Sequence, residues 1–214
     1  MDDETKKPQI DNEIPGDESP NDESPARALG SFIWELIKVL VLALVIIVPL
    51  RVLIAEPFIV SGSSMVPNFH NREYLIVDKV TYRFTEPQRG DVIVFKYPKN
   101  RTQYFIKRII GLPGEKVEVK DGHVIVFNTE HPDGEVLPEK YLPDENITFN
   151  PFGREEIVSL GSDEFFVLGD NRQASSDSRT WGILPRHDFV GRAWFRVFPL
   201  TNFGFLPNNI SYSF

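Results

Sequence analysis

Three serines stand close together in SGSSMVPNF, residues 61–69, and a serine hydroxyl can open a peptide bond by forming an acyl intermediate. It is a weak nucleophile until a neighbouring base takes its proton, so a partner must lie elsewhere in the chain. The chain has no cysteine, which removes disulfides, thiolate metal sites and cysteine nucleophiles. Of the four histidines, His123 follows a hairpin turn, while His131 in HPDG and His187 in LPRHD have loop surroundings. His70 is six residues from Ser64, yet no carboxylate stands in a distinctive setting to orient it. Lysine is the other possible base, provided that burial lowers its pKa until the neutral amine exists near physiological pH. Lys107 has apolar neighbours in YFIKRII, where strand alternation sends Lys107 and Arg108 to opposite faces, so that one of them faces inward or into a cleft. A lysine on an edge strand is also a common guard against aggregation, so Lys107 alone decides nothing.

These residues need a scaffold, and the scaffold reads as β. YLIVDKV, DVIVFKYP, YFIKRII, KVEVK, HVIVF and EFFVLGD are short, rich in β-branched and aromatic residues, and bounded by Gly, Pro, Asp or Asn. KVEVK and HVIVF flank Asp121-Gly122, a pair suited to the positive φ angles of a two-residue hairpin. No helical period of useful length follows Leu53, so residues 55–214 are expected to form one β-rich domain, with a loop-rich insertion over 128–160. Ahead of it, FIWELIKVLVLALVIIVPL is apolar all round and long enough to cross a bilayer, giving an expected anchor over residues 30–54. Glu35 and Lys38, three apart near its start, can pair on one helical face.

Residues 1–29 are acidic, rich in Pro and Ser, and expected to be a disordered tail. Residues 1–27 hold nine acids and three bases, so they carry -6 of the net charge of -8. A remainder so close to neutral argues against a nucleic-acid binder. No group of residues suggests a metal site, and no cofactor is needed by serine chemistry.

SGSSMVP, RGDVIVFKYP, FIKRIIGLPGE and GDNRQASSDSRTWG follow one another in that order behind the anchor, and together they resemble the signature boxes of the type I signal peptidases. That family consists of membrane-bound serine proteases with a Ser/Lys dyad. The resemblance covers roughly residues 30–200 and implies a mainly β catalytic domain of the signal peptidase and LexA-like type behind a single transmembrane helix. It implies Ser64 as nucleophile and Lys107 as general base, and Ser175 as the hydroxyl that hydrogen-bonds the lysine amine. Asp177 and Arg179 match a supporting charged pair expected to satisfy each other, while Gly169, Asp170, Asn171 and Arg172 match a structural GDNR segment.

Gly62 stands where some members have a serine that helps to hold the oxyanion, so backbone N–H groups at Gly62 and Ser64 are expected to do so here. Asn68 and Ala174 replace a common threonine and asparagine. The implied substrates are signal-peptide-bearing precursors, bound as an added strand and cut after small residues of Ala-X-Ala type, with no obligate protein partner. Phe58 to Gly62, with Ile59, and a strand around Thr81 to Phe84 are the expected binding edges. The implied placement is single-pass in the plasma membrane, tail cytoplasmic and catalytic domain outside. The aromatics Trp194, Phe195, Phe198, Phe203 and Phe205 either dip into the interface or fill the core. Two rival readings remain: a LexA-type self-cleaving repressor, against which the absence of a helix-turn-helix pattern counts, and a tethered adaptor, against which the presence of both Ser64 and Lys107 counts.

Overall fold

A computed structural model describes residues 25–49, 53–143, 147–153 and 156–206. The expected acidic tail lies outside the described residues as far as residue 24, and the helix begins at Pro25 rather than near residue 30. Two compact units divide between Ile46 and Ile47.

Helix α1 (Pro25–Pro49) belongs to the first unit except for its last three residues, and its Leu29–Pro49 stretch is long and apolar enough to cross a membrane. Twenty-one residues at about 1.5 Å each span about 32 Å, the thickness of a hydrocarbon core. Its large side chains lie open on every face, as a lipid-facing helix requires. Lys38 Nζ donates to Glu35 Oε1 at 2.6 Å, the pairing expected from their spacing.

The second unit is mainly β. Its larger sheet runs in the order β1 (Ala55–Ile59), β2 (Tyr74–Asp78), β11 (Phe189–Phe198), β3 (Val92–Tyr97), β4 (Asn100–Gly111), β9 (Glu164–Leu168), β10 (Leu184–Pro185), with β12 (Gly204–Phe205) beside β11. The smaller sheet is β7 (Glu135–Val136), β6 (His123–Phe127), β5 (Lys116–Lys120), β8 (Val158–Ser159). Every strand pairing is antiparallel. The β5–β6 hairpin turns at Asp121 and Gly122, both at positive φ (49° and 84°), as the sequence requires. The one short α-helix of this unit among the described residues is α2 (Ser178–Trp181).

Two expectations on strands change. Thr81–Arg83 is a 3₁₀ turn rather than a strand, because Asp78 Oδ1 accepts from the backbone N–H groups of Val80 (2.8 Å) and Thr81 (3.1 Å). Phe84, which follows, is 82% exposed. The segment FVGRAWFRVF, not read as a strand, is β11 in the middle of the sheet.

Three packed clusters fill the domain. Ile110, Val117, Val126 and Phe166 join the two sheets; Ile93, Phe95, Phe165 and Trp181 pack beside β3 and β9; Val60, Met65, Phe69, Leu75 and Val92 lie under the serine loop. The carboxy-terminal aromatics resolve differently from a core: Phe198, Phe203 and Phe205 are more than half exposed, with Phe195 half-buried among Trp194, Phe203 and Phe205.

Candidate active site

Ser64 sits in the turn that leaves β1, between two anchors. Val60 before it and Met65 after it are both buried, and Phe69 N–H donates to the Met65 carbonyl at 2.9 Å. Burying Met65 points the chain into the core and leaves the Ser64 hydroxyl at the surface of the fold, half-buried. Gly62 has φ +95°, a conformation that side-chain-bearing residues resist, and its N–H donates to Asn71 Oδ1 at 3.1 Å. That bond takes the Gly62 N–H out of the expected oxyanion pair; the Ser64 N–H has no partner among the described residues.

Lys107 enters from β4. Its Nζ lies 2.8 Å from Ser64 Oγ and 2.8 Å from the Ile106 carbonyl oxygen, and the residue is 3% exposed. Burial pushes the ammonium down from its ordinary 10.5 to about 8, while the charges of Asp177 and Asp170 pull the other way and only partly offset it. A neutral fraction of the amine therefore exists near neutral pH, and its lone pair can accept the proton of a hydroxyl 2.8 Å away. The basic group in hydrogen-bond reach of Ser64 Oγ is thus a lysine, while His70, the histidine nearest in sequence, faces Glu73 at 3.6 Å.

Alternation along β4 sends Arg108 to the opposite face, as expected, and there it is also buried. It grips Asp170 through Nε (2.8 Å) and Nη2 (2.6 Å) and donates to the Gly90 carbonyl. Asn68 Nδ2 donates to the same carboxylate at 2.9 Å, so this departure from the family pattern ties the serine loop to the GDNR segment. Asn171 adds two bonds, N–H to the Ser64 carbonyl (3.0 Å) and Nδ2 to the Ser63 carbonyl (3.1 Å). Arg172 is held by Glu139 and Tyr141, and Arg179 Nη1 reaches the Phe149 carbonyl, so the insertion over 128–160 braces the site rather than merely decorating it.

Asp177 and Arg179 satisfy each other through two bonds of 2.8 Å, and Asp177 Oδ2 also accepts from the Gly169 N–H. Gly169 is at a close approach: a Cβ there would meet Ser175 Oγ at 2.1 Å and the Ser64 carbonyl oxygen at 2.4 Å. Ser175 is thus beside the serine loop, but its buried Oγ has no hydrogen-bond partner among the described residues, so the expected bond to Lys107 is not made.

The sheet curls until β1 faces β4, four places away in strand order, with Phe58 and Tyr104 rings 5.4 Å apart. Between them lies a cleft of about 450 Å³ lined by Phe58, Ile59, Val60, Tyr104, Ile106 and both dyad residues, among others. β9 pairs with β4 only from Arg108 onward, leaving Gln103–Lys107 unpaired on that side; β1 is the terminal strand. The cleft is therefore flanked by two open strand edges. Phe84 does not line it, and the second edge is Gln103–Ile106 in place of Thr81–Phe84.

An amine 2.8 Å from a hydroxyl, beside a cleft with two open strand edges, fits the comparisons with known proteins. A family model described as signal peptidase, peptidase S26, matches residues 33–198. The chain belongs to the S26 signal peptidases. A probable signal peptidase I-1 from Synechocystis sp. is 39% identical over 85% of this chain and 90% of its own length. A signal peptidase I P from Bacillus subtilis subsp. natto is 36% identical over 79% of this chain and 91% of its own length. A crystal structure of a signal peptidase I from Enterococcus faecalis V583 is 33% identical, covers 50% of this chain and 97% of that one, and has a TM-score of 0.41. This signal peptidase is a serine endopeptidase of mainly β fold, anchored in a membrane by α1. Membership removes the repressor reading, and the signal peptidases among the relatives count against the adaptor.

Proposed function

We propose that this signal peptidase cuts secretory precursors after small residues, using Ser64 as nucleophile and Lys107 as general base. The observation that carries this reading is the 2.8 Å approach of a buried, partly neutral Lys107 amine to Ser64 Oγ. Lys107 takes the hydroxyl proton as Oγ attacks the scissile carbonyl carbon, and the negative oxygen that forms is met by the Ser64 N–H. The lysine then returns the proton to the amide leaving group, and water, deprotonated in turn by Lys107, releases the acyl group.

The precursor adds as a strand between the open edges of β1 and β4. Residues one and three before the cut point to the same side. They enter a wall formed by Phe58, Val60, Leu75, Val94 and Ile106, which supports a preference for small apolar side chains. Supporting roles fall to the Arg108–Asp170 and Arg179–Asp177 pairs, which hold the GDNR segment against the serine loop.

A signal peptide ends at the far face of the membrane, so the reading places the tail inside and the β domain outside. The absence of native cysteine makes this testable: Lys140→Cys should react with an impermeant maleimide in intact cells, and Ser19→Cys only after permeabilisation. The reverse pattern refutes the orientation.

The deciding experiment is cleavage of a preprotein with an Ala-X-Ala site by the detergent-solubilised chain, compared with Ser64→Ala and Lys107→Ala. Processing by the wild type alone supports the dyad. Cleavage by Ser64→Ala would move the nucleophile to Ser61 or Ser63, and an inert wild type would count against a general signal peptidase.

A further inference from the structure

Beyond Tyr104, toward the amino-terminal end of β1, a second cavity of about 400 Å³ opens, lined by Glu56, Lys79, Arg83, Lys96, Tyr104 and Phe189, among others. Its polar groups come from separate segments. Lys96 and Tyr104 are direct cross-strand neighbours on β3 and β4, Arg83 ends the 3₁₀ turn, and Lys79 follows β2. The Lys79 N–H donates to the Ile54 carbonyl at 3.0 Å, which fixes it beside the start of β1, and its Nζ meets Glu56 at 3.1 Å. Glu56 thus neutralises Lys79. Arg83 and Lys96 have no carboxylate partner among the described residues, so the cavity keeps two uncompensated cations and a phenol. A guanidinium, an ammonium and a hydroxyl around one hollow form a donor set suited to phosphate.

The surroundings favour one source of that phosphate. Leu53 and Ile54, just before β1, are each 49% exposed, and Phe84, next to Arg83, is 82% exposed. Cations in a hollow with open apolar side chains beside them match a lipid headgroup and the start of its acyl chains. Covalent connection supports this, since Glu56 is seven residues after Pro49, the end of the apolar helix, a reach of at most about 25 Å. We propose that this cavity binds the phosphate of an anionic membrane lipid. Because Tyr104 lines both hollows, the bound headgroup adjoins the substrate cleft at the end away from Ser64.

The test is binding, independent of peptidase activity. The full chain in neutral detergent is mixed with phosphatidylglycerol or phosphatidylcholine, and retained lipid is counted by native mass spectrometry. At about 1 kcal/mol per cation, each of Arg83 and Lys96 gives about a fivefold preference for the anionic lipid. The Arg83→Gln/Lys96→Gln double variant should therefore lose about 25-fold in phosphatidylglycerol retention, while Lys116→Gln on the other sheet behaves as wild type. An unchanged thermal midpoint establishes that the double variant is folded. Equal retention of both lipids by the wild type, or undiminished phosphatidylglycerol retention by a folded double variant, overturns the proposal. Inorganic phosphate at millimolar concentration should fail to displace the lipid; displacement would make this a site for soluble anions and overturn the lipid assignment.

Discussion

Replacing Lys107 by methionine should abolish cleavage and make the protein more stable. The fold holds an amine 3% exposed, with its pKa brought from 10.5 to about 8. That difference corresponds to about 3 kcal/mol of stability given up at pH 7, at about 1.4 kcal/mol for each tenfold change in proton affinity. Methionine fills a similar volume without the charge but forfeits the bonds to Ser64 Oγ and the Ile106 carbonyl, a loss of about 1 kcal/mol. The net gain of about 2 kcal/mol should raise the thermal midpoint by about 4–8 °C in a domain of this size. The gain has a definite pH dependence. Between about pH 8 and 10.5 the folded state binds fewer protons than the unfolded chain, so wild-type stability rises with pH across that window. The variant's advantage should be full below pH 8, reduced by pH 9.5, and gone above 10.5. Thermal unfolding of both proteins at pH 6, 7.5 and 9.5, followed by tryptophan fluorescence, measures it. A methionine variant less stable than wild type at pH 6, or a gap that does not change with pH, would refute the assignment of a suppressed lysine pKa.

The same titration should shape activity: kcat/KM ought to rise with pH through a limb near 8, where the general base becomes neutral, and a profile flat from pH 6 to 9 would exclude Lys107 as the base. Gly169→Ala forces a methyl against Ser175 Oγ and the Ser64 carbonyl, so activity should fall by more than tenfold on preprotein cleavage while the secondary structure by circular dichroism is kept. Arg108→Ala leaves the Asp170 carboxylate buried without its main partner, with an expected loss of about 3–5 kcal/mol in denaturant unfolding. Ile59→Trp should change which side chains are accepted before the cut, whereas Phe84→Ala should not, as read by product sequencing of a precursor library.

The sequence makes local features plain where the physics is local. The apolar helix, the Asp-Gly hairpin and the alternation that separates Lys107 from Arg108 need only neighbouring residues. Strand β11 is harder to see because Gly191, Arg192 and Arg196 interrupt its pattern and its pairing with β2 shifts register twice. The mistaken strand at Thr81–Phe84 had a legible counter-signal, Asp78 placed to accept from the next turn, outweighed by the aromatics of TYRF. The true second edge, Gln103–Ile106, depends on where β9 stops pairing, which no local pattern encodes. Likewise Glu139, Tyr141 and Phe149 reach arginines about 30 residues away and carry no motif. The family boxes supplied Ser64 and Lys107 together, but the burial that makes the lysine a usable base belongs to the assembled fold.

The position of β11 also sets an order of assembly. Ser64 belongs to the β1–β2 hairpin and Lys107 to the β3–β4 hairpin, and in the sheet the two hairpins are joined only through β11. That strand is made after residue 188, when most of the chain has already left the ribosome. Until it inserts, the hydrogen-bonded sheet that carries Ser64 and Lys107 is in two pieces, and only contacts outside the strand ladder, such as those through Asp170 and Asn171 and between the Phe58 and Tyr104 rings, link the two hairpins among the described residues. The pairing of Ser64 with Lys107 is thus completed as a keystone completes an arch, by the last long strand of the described residues to be made.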